Sequence, residues 1–134
     1  MRILLVDDDD DVRDLFREFL SGPEHEVFSA SSGAAGLELL QSREIDVVLV
    51  DIVMPGKDGV STIYEIRKMR PNINIIAISG GGRAGNMAPL RVAADAGADL
   101  LLTKPINRDA LISAVQAVAA GQSNRSTFNS GSNK

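Results

Sequence analysis

The chain has 134 residues, 44% apolar and 24% charged, with 14 basic against 18 acidic side chains and a net charge of −4. That length suits one domain with a sizeable core, and the acidic balance argues against direct nucleic-acid binding. There is no cysteine, which excludes disulfides and thiolate chemistry; no apolar run approaches the roughly 18 residues of a membrane span, so a soluble cytoplasmic protein is expected.

Ile3-Leu-Leu-Val6 is apolar on both faces, the pattern of a parallel strand covered by helices on each side. It ends at Asp7, the first of a run of aspartates. Asp9, Asp10 and Asp11 read as a cap and first-turn charges favoured by a helix dipole. Val12, Leu15, Phe16, Phe19 and Leu20 recur at helical spacing, and Gly22-Pro23 stops that helix. Glu26 to Ala30 reads as a second strand. Ser31 or Ser32 would cap the next helix, with Ala34, Leu37 and Leu40 inward.

Asp46 to Val50 is the third strand, delivering Asp51 to the carboxyl edge of a sheet. Pro55, Gly56 and Gly59 then break regular structure, and Asp58 would cap a helix to about Met69, with Val60, Ile63 and Ile66 inward. Asn74 to Ile78 is the fourth strand and runs into Ser79-Gly80-Gly81-Gly82. That glycine run lacks the lysine and hydroxyl of a phosphate-binding P-loop. A helix holding Leu90, Ala93 and Ala94, entered near Pro89, ends at Gly97. Asp99 to Leu102 is the fifth strand, followed by Thr103-Lys104-Pro105, and the last helix runs from about Asn107 to Ala120. Leu111, Ala114, Val115 and Val118 form its buried stripe. Residues 121–134 are rich in Ser, Asn and Gly and are expected to be a disordered tail to a domain spanning 1–120. Five strand–helix alternations imply an α/β fold around a parallel sheet with right-handed crossovers.

Polar residues end these strands at one edge: Asp7-Asp8, Asp51, Ser79 and Lys104. If the first and third strands are neighbours, three carboxylates meet in one cleft. Two unit charges about 4 Å apart repel by roughly 4 kcal/mol at an effective dielectric near 20. A divalent cation is the natural remedy, and few carboxylates with a carbonyl and waters suit Mg²⁺. An acid, a metal, a lysine and a hydroxyl together suggest phosphoryl transfer with an aspartate as acceptor.

Leu5-Val-Asp-Asp8, Val50-Asp-Ile-Val-Met-Pro-Gly-Lys-Asp-Gly59, Ile78-Ser79 and Thr103-Lys-Pro-Ile106 come in an order and spacing that resemble the receiver domain of two-component response regulators. The resemblance covers about Met1 to Ala120. It implies a three-layer, doubly wound (βα)5 flavodoxin-like fold with sheet order 2-1-3-4-5. It also implies roles. Asp51 would be the phosphoacceptor. Asp8, Asp51 and the Val53 carbonyl would bind Mg²⁺ (or Mn²⁺), with Asp7 acting mainly through a bound water. Lys104 would pair with the phosphoryl group, and Ser79 would move toward it. The implied donor is a sensor histidine kinase or a histidine phosphotransfer protein, the target a further protein, and the chain a signalling acceptor rather than an enzyme, either stand-alone or part of a longer regulator. Neither nucleic acid nor membrane is an implied partner. The usual switch aromatic is Leu101 here, and the segment from Ser79 to Gly97 is about three residues longer than is usual in that family. Two other readings compete. A phosphatase of the haloacid-dehalogenase kind would need an acid at Val53. A pseudo-receiver would show a damaged acidic pocket.

Overall fold

A computed structural model describes residues 1–52, 59–80 and 88–121. In chain order its elements are β1 (Arg2–Val6), α1 (Asp10–Phe19), β2 (Glu26–Ala30), α2 (Gly33–Ser42), β3 (Val47–Asp51), α3 (Gly59–Met69), β4 (Asn74–Ser79), α4 (Ala88–Ala96), β5 (Leu100–Thr103) and α5 (Arg108–Ala119). The strands form one parallel sheet in the order β2-β1-β3-β4-β5. This is the flavodoxin-like order. Among the described residues no helix is long and apolar enough to cross a membrane.

The period of two along each strand splits the core into two layers. Ile3, Leu5, Val47, Leu49, Ile76 and Ile78 face one side, with Phe16 of α1, Leu20 at its C-cap, and Leu111 and Val115 of α5. Leu4, Val6, Val48, Val50, Ile75 and Ala77 face the other, with Leu40 of α2, Ile63 and Ile66 of α3 and Ala93 of α4. Both faces of the central strands are therefore dry, as expected for runs without polar interruption.

Caps start the helices where the sequence suggests. The Asp9 side chain accepts from the Asp11 and Val12 N–H groups, and acids Asp10 and Asp11 occupy the first turn. Ser32, rather than Ser31, caps α2 through Ala35 N–H. Asn107 caps α5 through Ala110 N–H. Gly97, at φ +120°, ends α4 in a conformation that side chains rarely adopt.

Several expectations need correction. Leu15 is not in the buried stripe of α1: it is 44% exposed. Ala34 is also exposed; the buried face of α2 is Gly33, Gly36 and Leu40. The physical reason is close approach, since a Cβ at Gly36 would stand 2.9 Å from Val6 Cγ2. The third and fourth strands run one residue further than expected, to Asp51 and Ser79, and the fifth covers Leu100–Thr103. Asp99 stands just before that strand: its N–H donates to Ile75 O at 2.8 Å, while its carboxylate accepts from Ile75 N–H and from Arg67. Leu101 is half-buried against the α2–α4 side of the core. Val53, Asp58, Gly81 and residues 122–134 lie outside the described residues.

Candidate functional site

Strand parity builds the site. Asp7 follows Ile3 and Leu5, Asp51 follows Val47 and Leu49, and Lys104 follows Leu100 and Leu102. All three continue the face that α1 and α5 cover. Ser79 follows Ile75 and Ala77 and so continues the opposite face. The register Val6↔Val50 sets the ends of β1 and β3 side by side. Asp51↔Ile78 and Ser79↔Thr103 align the ends of β4 and β5 with them.

Asp7, Asp51 and Ser79 are buried, at 4%, 5% and 6% exposure. Asp8 is exposed. Asp7, Asp8 and Asp51 each offer a carboxylate oxygen within 4.8 Å of the others. Like charges at that range repel by about 3 kcal/mol per pair at an effective dielectric near 20. Lys104 offsets part of this. Its Nζ stands 3.4 Å from Asp51 Oδ2 and 3.6 Å from Asp7 Oδ2. Its backbone N–H donates to Ser79 O at 2.9 Å, which fixes the end of β5 against β4.

Asp7 is held on several sides. Its N–H donates to Ala30 O at 3.2 Å, and its carbonyl accepts from Arg13 Nη1 at 2.6 Å. Asp9 N–H donates to Asp7 Oδ1 at 2.9 Å. Asp7 Oδ2 is buried and has no hydrogen-bond partner among the described residues. Burial pushes the Asp7 carboxyl above the usual carboxylate range; the Asp9 N–H and Lys104 pull it back, while the charges of Asp51 and Asp8 raise it.

Asp51 is fixed through its backbone. A Cβ on Gly59, the first residue of α3, would stand 2.0 Å from the Asp51 carbonyl oxygen and 2.4 Å from Ile52 Cα. Helix α3 therefore starts in direct contact with the chain leaving the acid. Ile52 N–H donates to Ile78 O at 2.9 Å.

The donor set fits a hard divalent cation. It offers carboxylate oxygens without nitrogen or sulfur, the preference of Mg²⁺ over softer metals. Asp7 Oδ2, buried without a hydrogen bond among the described residues and faced by Lys104 Nζ at 3.6 Å, is the observation that calls for a further positive partner.

Sequence reasoning thus named the acids and the lysine that the fold brings together. Ser79 lies one residue beyond the Asp51↔Ile78 pair, on the other face. Val53, expected to lend a carbonyl, is outside the described residues. Two positioning residues were missed. Arg13 pairs with Asp10 one turn away, but its contact with the site is to the Asp7 carbonyl, a backbone target that carries no motif signal. Gly59 was read as a break in regular structure and as the end of the receiver-like segment, without its close approach to Asp51; the structure makes it the first residue of α3.

A family model described as the response regulator receiver domain matches residues 3–116. Chemotaxis protein CheY of Halobacterium salinarum is 32% identical over 117 residues, 87% of this chain and 95% of that protein. Transcriptional regulatory protein GlrR of Escherichia coli is 34% identical over 113 residues, 84% of this chain but 25% of that protein. The chain thus spans a quarter of one such relative and nearly all of the other. Among solved structures, a CheY-like receiver domain protein of Methanospirillum hungatei superposes with a TM-score of 0.80 at 26% identity, covering 95% of this chain and 97% of that one. The receiver domain of NtrX from Brucella abortus gives 0.81 at 32% identity, covering 90% and 99%.

Proposed function

This chain belongs to the response regulator receiver domain family, and on that premise we propose that it accepts a phosphoryl group on Asp51. The donor is phosphohistidine of a sensor kinase or phosphotransfer protein. An Asp51 carboxylate oxygen forms the bond to phosphorus as the N–P bond of the donor breaks. The electron pair stays on the imidazole nitrogen, which takes up a proton. The acceptor is a signalling switch in the cytoplasm rather than an enzyme acting on external substrates, and its output is a change of contacts with a further protein.

The observation that carries this reading is the juxtaposition of Asp51, Asp7 and Lys104 at 3.4 and 3.6 Å on one sheet edge. Asp7, Asp8 and Asp51 would hold Mg²⁺, which supplies charge neutralisation for the phosphoryl oxygens when bound. Lys104 supplies a fixed positive charge for the same oxygens. Arg13 and the Asp9 N–H orient Asp7. Gly59 leaves room for the Asp51 backbone. Ser79, buried at the end of β4, is the hydroxyl that answers phosphorylation and passes it toward α4. With Leu101 at the usual aromatic position, that response proceeds without an aromatic partner there.

Incubation with Mg²⁺ and acetyl phosphate, followed by intact mass measurement, tests the reading. One added phosphoryl group is expected, absent in Asp51→Ala and after chelation. An unchanged mass in the wild type, or the same gain in Asp51→Ala, would contradict it.

A further inference from the structure

Helices α3 and α4 leave a groove of about 460 Å³ between them, lined by Val60, Ser61, Tyr64 and Glu65 on one wall and Val92, Asp95 and Ala96 on the other. Val60–Tyr64 and Val92–Ala96 are both i,i+4 pairs, so each helix presents an apolar ridge along the groove. Tyr64 is 55% exposed and Val92 43%. Large apolar side chains gathered around a concavity mark a contact site more than scattered ones do. A tyrosine that keeps its hydroxyl wet while offering its ring is a typical interface anchor.

Charge narrows the occupant. The charged residues among the described lining, Glu65 and Asp95, are both acids. The Tyr64 ring already accepts a cation from its own helix, with Lys68 Nζ 4.9 Å from the ring centroid. A second copy of this chain, itself at −4, is disfavoured at such a surface, as is a nucleic acid. We propose that the α3–α4 groove docks a basic amphipathic helix of a partner protein. An apolar side chain of that helix seats between Val60, Tyr64 and Val92, and a lysine or arginine one turn away meets Asp95. This surface is separate from the acidic cluster and does not depend on phosphoryl transfer.

The probe is a fluorescently labelled amphipathic Leu/Lys peptide of about 18 residues, long enough to hold a helix, with a Leu/Glu peptide of the same length as control. Anisotropy titration in physiological salt should show saturable binding of the Leu/Lys peptide alone. Val92→Ser and Asp95→Lys, both at the surface, should each weaken it by about tenfold. Backbone amide shifts in the wild type should change at Val60–Glu65 and Val92–Ala96. The proposal is overturned if the Leu/Lys peptide does not bind, if the Leu/Glu peptide binds equally well, or if either variant binds like the wild type. Shifts confined to the aspartates of α1, or concentration-dependent self-association through the groove, would overturn it too.

Discussion

Replacing Lys104 by methionine keeps the stem and removes an ammonium that stands 3.4 Å from Asp51 and 3.6 Å from Asp7. Each contact is worth about 5 kcal/mol of bare attraction at an effective dielectric near 20. Most of that is offset by the water the lysine regains on unfolding. Removing one partner of a buried pair costs about 3–5 kcal/mol, and the lysine side chain is 28% exposed, so a loss of about 2–3 kcal/mol is expected at pH 7 with divalent ions chelated. The same change removes a cation that shares its carboxylates with the proposed metal. Mg²⁺ should therefore bind about tenfold more tightly, equivalent to ~1.4 kcal/mol, and should restore much of the lost stability by mass action. Denaturant unfolding followed by circular dichroism, in chelator and in Mg²⁺, reads the first quantity. Calorimetric titration reads the second. A variant as stable as the wild type in chelator, or one with weaker Mg²⁺ binding, would show that the lysine and the metal do not share these oxygens.

Asp7→Asn should stabilise the metal-free protein at pH 7, with Mg²⁺ binding lost. Asp7 has a raised folded pKa, so the native state holds this proton more tightly than the unfolded chain. Its contribution to stability is present in acid and is lost as pH rises through the raised value; the wild-type minus variant difference in unfolding free energy should fall across that window and stay flat above it. Gly59→Ala would place a Cβ 2.0 Å from a backbone oxygen that no rotamer change can move. A cost of about 3 kcal/mol is expected in denaturant unfolding, together with weaker Mg²⁺ binding, because Asp51 must shift. Arg67 donates to Gly97 O, Pro71 O, Ile73 O and the Asp99 carboxylate, at distances of 2.7 to 3.1 Å, on the edge of the sheet away from the acids. Arg67→Ala should cost about 2–3 kcal/mol on thermal or denaturant unfolding, with phosphorylation by acetyl phosphate at low temperature unchanged.

The sheet order was legible only through the resemblance to receiver domains, whereas the shared edge of the site could be read from the residues. Apolar strand runs alternating with helices imply a covered parallel sheet, so the polar residues at the strands' carboxyl ends mark the same edge. Asp7 and Asp51 follow from that rule, whereas Lys104, which comes after Thr103, was picked out by the Thr103-Lys104-Pro105 match to the receiver pattern. Helical periodicity was a weaker guide at the margins. It placed Leu15 and Ala34 inside, since spacing identifies a stripe but not its width. The buried Gly36 gave no apolar signal, because what it supplies is the absence of a side chain where α2 approaches β1. The contacts of Arg13 with Asp7 O and of Arg67 with Ile73 O were illegible because backbone carbonyls take their positions only in the folded chain, although each arginine also pairs with an acid, Asp10 and Asp99. The role of Asp99 was illegible for the same reason: its carboxylate joins Arg67 to Ile75 N–H.

The most direct measurement asks which carboxyl group becomes the acyl phosphate. After treatment with acetyl phosphate and Mg²⁺, borohydride reduction converts a phosphorylated aspartate to homoserine, and peptide mass mapping locates it. Homoserine at residue 51, with Asp7 and Asp8 intact, is the expected result. Homoserine at residue 7 or 8 in the wild type, or at no aspartate, would contradict the account.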